Sequence, residues 1–137
     1  MKPYFQVGFV VPDLEAAMEE LGAGLGVELV GPQERELGDC VLRIAFARTP
    51  PPYVELIEGP PGSLWDASAG ALIHHLGYWS EDMDADSARL EAAGMGLERD
   101  LGYARYHRPA GAAGARVELI DVAHRPDFLA RWGLPEG

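Results

Sequence analysis

The sequence predicts an α+β fold in which two tandem βαβββ modules build one curved mixed sheet around a cleft. Two internal matches predict it. At an offset of 69 residues, Gln6 falls on His75, Gly8 on Gly77, Phe9 on Tyr78, Asp13 on Asp82 and Leu21 on Leu90. At an offset of 63, Val54-Glu55-Leu56-Ile57-Glu58 falls on Val117-Glu118-Leu119-Ile120-Asp121, so the two copies differ by a six-residue indel. Each copy also carries the same order of local signals, strand then helix then three strands. The 137 residues are therefore two half-size modules, neither large enough to bury its sheet alone.

The first module spans residues 1–58. Tyr4 to Val11 is aromatic and β-branched and stops at Pro12-Asp13, which predicts a strand followed by a helix with Asp13 as N-cap. Ala17, Met18, Leu21 and Leu25 recur at helical spacing, and Gly22, Gly24 and Gly26 end the run. Strands are expected over 27–36 and 40–48, around the turn Leu37-Gly38-Asp39, and again over Tyr53 to Glu58. Residues 59–72, with Pro60, Pro61 and Gly62, form a linker. The second module, 73–121, repeats the order: a strand over Ile73 to Ser80, an N-cap at Asp82, a helix over Met83 to Gly94, then strands over 96–101, 103–108 and 115–121. A tail over 122–137 places Phe128, Leu129 and Trp132 at helical spacing, able to cover a module or a partner.

Composition narrows the function classes. With 47% hydrophobic and 24% charged residues the chain has material for a packed core. Its formal charge of −11 repels phosphate backbones and anionic lipid, so neither nucleic acid nor a membrane is an expected partner. No apolar run approaches the ~18 residues of a membrane span. The N-terminus lacks a signal-peptide core, and the single cysteine, Cys40, excludes an internal disulfide or a thiolate-rich metal site. A cytoplasmic location is expected. Any metal must be held by oxygen and histidine ligands.

Strand alternation sorts the polar residues. Phe5, Val7, Phe9, Val11, Val54, Leu56, Leu76, Tyr78, Val117 and Leu119 are expected to face the helices. The opposite face then carries Tyr4, Gln6, Tyr53, Glu55, Ile73, His75, Trp79, Arg116, Glu118 and Ile120. Alone, Glu55 or Glu118 reads as a solvated strand residue; as a repeat-related pair with apolar neighbours they read as ligands. Gln6, Glu55, His75 and Glu118 are four polar groups at equivalent places, two per module, and their donor types suit a divalent cation. His75 is preferred to His74, which falls on the helix-facing Phe5. His107 and His124 lack repeat partners and read as structural. Tyr4, Tyr53, Trp79 and Arg116, with Arg43 and Trp65 nearby, are the expected substrate-binding set for a small molecule.

The runs Phe5 to Leu14 (FQVGFVVPDL), Val54 to Pro60 (VELIEGP), His74 to Tyr78 (HHLGY) and Val117 to Asp121 (VELID) together resemble the vicinal oxygen chelate superfamily. That group includes glyoxalase I, methylmalonyl-CoA epimerase, fosfomycin and bleomycin resistance proteins and extradiol dioxygenases. The resemblance runs from about Tyr4 to about Asp121 and implies metal ligands on the first and last strand of each module, at Gln6, Glu55, His75 and Glu118. It implies zinc first, with nickel, cobalt or manganese as alternatives, and a homodimer. One histidine among four ligands disfavours oxygenase chemistry, which uses two histidines and a carboxylate on iron. The expected activity is a redox-neutral isomerase, epimerase or lyase that moves a proton beside a carbonyl through a metal-stabilised enolate, with Glu118 or Glu55 as base. The resemblance does not extend to the glutathione-holding positions, because Val10, Gly59 and Ala71 stand where the glyoxalase I pattern carries Arg, Asn and Arg. The alternative is a metal-free protein that sequesters a drug or metabolite, as bleomycin resistance proteins do.

Overall fold

The computed structural model describes residues 3–111 and 114–136. Its elements are β1 (Gln6–Val10), α1 (Leu14–Leu25), β2 (Leu29–Leu37), β3 (Cys40–Ala47), β4 (Tyr53–Glu58), β5 (Leu72–Ser80), α2 (Met83–Ala92), β6 (Leu97–Asp100), β7 (Ala104–His107), β8 (Arg116–Asp121) and α3 (Arg125–Trp132). Helices α1 and α2 begin at the expected caps: the Asp13 side chain accepts from the Ala16 N–H and the Asp82 side chain from the Ala85 N–H. Gly26 closes α1 with φ of 65°, a conformation that favours glycine.

The strands form one eight-stranded sheet in the order β2-β3-β4-β1-β5-β8-β7-β6. In each module the first strand pairs in parallel with the last, β1 with β4 and β5 with β8. The modules join within the chain through the antiparallel pair β1–β5. The sheet curls until its two ends meet: Arg99 of β6 reaches Asp39 of the β2–β3 turn at 3.6 Å, and the Gly38 backbone lies against Leu101.

Each face of the sheet has its own core. α1 packs Leu14, Ala17, Met18 and Leu21 onto Phe9, Val54 and Leu56 on the outer face, and α2 packs Met83 and Leu90 onto Tyr78, Val117 and Leu119. The inner face carries the larger cluster, with Val10, Leu42, Ile44, Phe46, Ile57, Tyr106 and Ile120. The expected helical tail is α3, and it lies on this inner face: Phe128 meets Phe5, Phe46, Tyr53 and Trp79 edge-on or tilted, and Trp132 packs on Phe46.

Side chains at the starts of β1 and β5 break the expected alternation. Phe5 lies just before β1 and turns to the inner face, stacked on Trp79 with ring centroids 3.9 Å apart. His74 does the same through a β-bulge: Gly8 pairs with His75 and the next residue, Phe9, with Ile73, leaving His74 as the extra residue. The linker is also more than a connection. Trp65 is fully buried, and its indole N–H donates to the Tyr106 hydroxyl at 3.3 Å, so it is a core residue rather than a cleft wall. Among the described residues no helix is long and apolar enough to cross a membrane.

Candidate active site

The four central strands bring four polar side chains to one point. Gln6 from β1, Glu55 from β4, His75 from β5 and Glu118 from β8 are each less than a tenth exposed. His75 Nε2 lies 3.1 Å from Glu55 Oε1 and 3.2 Å from Glu118 Oε1. Gln6 Nε2 lies 3.1 Å from His75 Nε2 and donates to Glu118 Oε1 at 2.9 Å. All four come from one chain, two per module.

The register of β1 on β5 explains how so much side chain fits between adjacent strands. Gln6 lies opposite Gly77 and His75 opposite Gly8. A Cβ on Gly8 would sit 2.1 Å from His75 Cε1, and one on Gly77 would sit 2.5 Å from Gln6 Cγ. Each module's glycine thus leaves room for the other module's polar residue. The two glycines occupy equivalent positions of the repeat.

Burial and charge shape the protonation of the cluster. Burial raises the Glu55 carboxyl above its ordinary value, and the neighbouring Glu118 charge adds to this, against the lowering effect of His75. Burial works against a charged His75, but the carboxylates of Glu118 and Glu55 outweigh it and hold the imidazole up to about 10. Its neighbour His74 is pushed down to about 3, first by burial and then by the charge on His75. A protonated His75 thus bridges the two carboxylates wherever no other cation does so.

Above the cluster is a cleft of about 120 Å³. Ile44, Phe46, Tyr106, Ile120, Phe128 and Trp132 supply its apolar wall, while Arg35 of β2, Arg131 of α3, Tyr103, His124 and Asp127 surround them. Arg43, Arg48, Arg89, Arg99, Arg105 and Arg116 all hold acidic partners. Arg35 and Arg131 have none among the described residues, so two unneutralised guanidiniums face the cleft of a strongly acidic chain. Sequence reasoning missed both, because nothing local ties β2 and the tail helix to one site.

The expected substrate-binding set is placed elsewhere. Arg116 is held by Glu98 at 2.7 Å. Tyr4 packs edge-on against Tyr78, a residue of the α2 side. Tyr4, Tyr53 and Trp79 line a different hollow of about 370 Å³ with Phe5, Pro51, Pro52 and Arg125. The cause is the turned Phe5, which carries Trp79 with it, together with α3, which lies between the two hollows through Phe128. Arg43 is bound to Glu15 and Glu58 on the outside of the sheet. His107 is structural as expected: its Nδ1–H donates to the Met95 carbonyl at 2.7 Å, and Nε2 pairs with the Ser87 hydroxyl at 2.7 Å. His124, expected to be structural, instead lines the cleft beside Tyr103.

With this geometry in view, the comparisons are direct. The family model described as the glyoxalase/bleomycin resistance protein/dioxygenase superfamily matches residues 5–117. The chain belongs to this superfamily. An ethylmalonyl-CoA/methylmalonyl-CoA epimerase of Cereibacter sphaeroides is 38% identical over 94 residues, 64% of this chain and 68% of that protein. A variant of Streptomyces coelicolor methylmalonyl-CoA epimerase in complex with 2-nitronate-propionyl-CoA matches with a TM-score of 0.68 and 24% identity, over 90% of this chain and 99% of that one. Methylmalonyl-CoA epimerase from Mycobacterium tuberculosis gives 0.65 and 24%, over 92% and 91%. These solved structures share the curled sheet with this member of the superfamily.

Superfamily members commonly bind a divalent metal, and the four residues fit one. Two carboxylates, an imidazole nitrogen and an amide supply hard and borderline donors around one point. The Gln6 Oε1 atom is buried without a hydrogen-bond partner. Turning the amide over exchanges Oε1 with Nε2 and brings that orphaned oxygen to the imidazole and the carboxylates. A second group of acids, Asp13, Glu15 and Glu58, belongs to the helix cap. Glu58 accepts the Leu14 N–H at 2.8 Å and Arg43 binds Glu15 and Glu58.

Proposed function

We propose that the protein is an isomerase of the acyl-CoA epimerase kind, inverting a stereocentre next to a thioester carbonyl by removing and returning a proton. The observation that carries this reading is the meeting of Glu55, Glu118 and His75 at the floor of a small apolar cleft with unpaired arginines. Epimerisation needs a base, a proton return and a way to hold charge on the carbonyl oxygen. A divalent ion held by Gln6, Glu55, His75 and Glu118, zinc first in expectation, would supply Lewis acidity that polarises the carbonyl and acidifies the neighbouring C–H.

The protein groups do the rest. Glu118 or Glu55 takes the proton, and the raised proton affinity of Glu55 suits it to hold a proton between removal and return. Phe46, Tyr106 and Trp132 keep bulk water from the exposed carbanion. Arg35 and Arg131 offer charge to an anionic end of the substrate, such as a carboxylate on the acyl group or the phosphates of a coenzyme A. The cleft of about 120 Å³ takes a short acyl group and leaves a nucleotide handle outside, which supports a branched malonyl thioester of the type named for the relatives.

The test is exchange. Metal-loaded protein incubated in deuterium oxide with methylmalonyl-CoA is expected to wash solvent deuterium into the carbon between the two carbonyls, and Glu118→Gln is expected to stop exchange while the fold is retained. Wild-type protein that binds the thioester and exchanges nothing would sink the reading. One observation favours a second reading, a metal-free binding protein: the cluster is closed by its own hydrogen bonds, with Gln6 Nε2 on Glu118. Metal analysis separates the two, because stoichiometric metal after supplementation supports the enzyme and none supports sequestration.

A further inference from the structure

The cation-site reading leaves open what aims His75 at the cluster, and the inference below rests on that reading. Adjacent residues of a regular strand face opposite ways. The bulge at His74 overrides this and puts two buried rings on one side. His74 and His75 are 1% and 0% exposed, their planes are perpendicular at 90°, and their Nδ1 atoms are 2.9 Å apart.

The proton positions follow from the partners. His74 Nε2 lies 2.8 Å from the Leu64 carbonyl oxygen. A carbonyl only accepts, so this nitrogen carries the proton. A neutral His74 then has a lone pair at Nδ1, and the hydrogen bond between the two Nδ1 atoms needs one proton, which must come from His75. With Nδ1 protonated, neutral His75 has its lone pair on Nε2, the atom that faces Glu55, Glu118 and Gln6. Leu64 is itself held. Ser63 Oγ accepts the Trp65 N–H at 3.2 Å, and the Trp65 ring is fully buried beside His74 and Tyr106.

We propose that His74 is a positioning residue which, anchored on the Leu64 carbonyl, fixes the tautomer and ring orientation of His75 so that Nε2 is presented to a cation. The segment between the modules thereby takes part in the site, since it supplies the anchor. Partners of this kind behind a metal-binding histidine typically change metal affinity by about 10–100-fold.

The experiment is side-chain nitrogen NMR on the full chain, metal-free and with zinc, combined with two variants. Expected signatures are a proton on His74 Nε2 and not Nδ1, and a proton on His75 Nδ1 in both states. A proton on His74 Nδ1, or a His75 bearing its only proton on Nε2, overturns the proposal. His74→Leu removes the acceptor and is expected to weaken zinc binding by about 10–100-fold in chelator competition. His74→Asn puts a carbonyl oxygen near the lost Nδ1 and is expected to recover most of that affinity and to keep the His75 Nδ1 proton. A folded His74→Leu protein that binds zinc like the native chain overturns it as well; if that variant does not fold, the native tautomers and His74→Asn decide. If the native chain takes up no zinc, the cation reading fails while the tautomers still judge His74.

Discussion

The two modules place equivalent residues at the site but support them differently. In the second, His75 is backed by His74, and His74 by the Leu64 carbonyl. In the first, the residue equivalent to His74 is Phe5, stacked on Trp79, and it offers Gln6 nothing to hydrogen-bond. Gln6 is held only by the groups it meets at the site, with Oε1 left over. Duplication preserved the position of each polar residue and the glycine opposite it, while the support behind them diverged. A rigid imidazole on one side and an adjustable amide on the other make a site in which one half defines the geometry and the other adapts to it.

The largest expected effect comes from filling the space each glycine leaves. In Gly8→Ala the new methyl would lie 2.1 Å from His75 Cε1 and 2.5 Å from Nε2, and the ring cannot retreat because His74 holds it from behind. A loss of about 3 kcal/mol in unfolding free energy and failure to bind metal are expected, measured by urea unfolding and chelator competition. In Gly77→Ala the clash is with Gln6 Cγ at 2.5 Å, on a flexible chain. A loss of about 1 kcal/mol and weakened but measurable metal binding are expected. If Gly77→Ala proves the more damaging, the rigid and adjustable halves have been assigned the wrong way round.

Next in size is Gln6→His, which makes the modules alike at the repeat-equivalent positions 6 and 75. Gly77 offers the new ring the kind of room Gly8 offers His75. Replacing a weak amide donor by an imidazole is expected to tighten zinc binding by about tenfold, which is about 1.4 kcal/mol. The gain stays modest because Phe5 cannot accept a proton from the new ring as His74 does from His75. Zinc binding that weakens in Gln6→His would show that the amide is required as an oxygen ligand or as a donor to Glu118.

What was legible in the sequence follows the reach of local rules. That Gln6, Glu55, His75 and Glu118 converge was legible because strand alternation and the repeat both point to it, and both hold over β1, β4, β5 and β8. His74 was misplaced because a bulge adds a residue and shifts the alternation, and Phe5 because it precedes β1, where strand alternation no longer holds; no residue type announces either. Tyr4, Tyr53, Trp79 and Arg116 were expected beside Gln6, Glu55, His75 and Glu118 because they share a strand face with them. A shared face does not ensure a shared cavity once α3 crosses it. Arg35, Arg131 and His124 were invisible for the complementary reason: they enter from β2 and from the segment around α3, brought there only by tertiary packing.

The smallest effect is a pH dependence that the support behind His75 should make visible. In the metal-free protein His75 is raised from the ordinary 6.5 of an imidazole to about 10. A group whose folded value is raised stabilises fully below its unfolded value, and that stability is lost as pH climbs to the folded one. Unfolding free energy is therefore expected to fall between pH 7 and pH 9. Glu55, also raised, contributes in the same direction at lower pH. Saturating zinc is expected to displace the His75 proton, so the decline should vanish when the metal is present. His74 has the opposite sign: its value is lowered to about 3, so its contribution is present above pH 6.5 and is lost as pH falls toward 3. His74→Asn should therefore flatten the acid side of the metal-free profile while leaving the alkaline decline in place, because the carboxylates that raise His75 are untouched. An alkaline decline that persists unchanged under saturating zinc would mean that the His75 proton and the metal do not compete for one place, and the two halves of the site would then not converge on a shared cation.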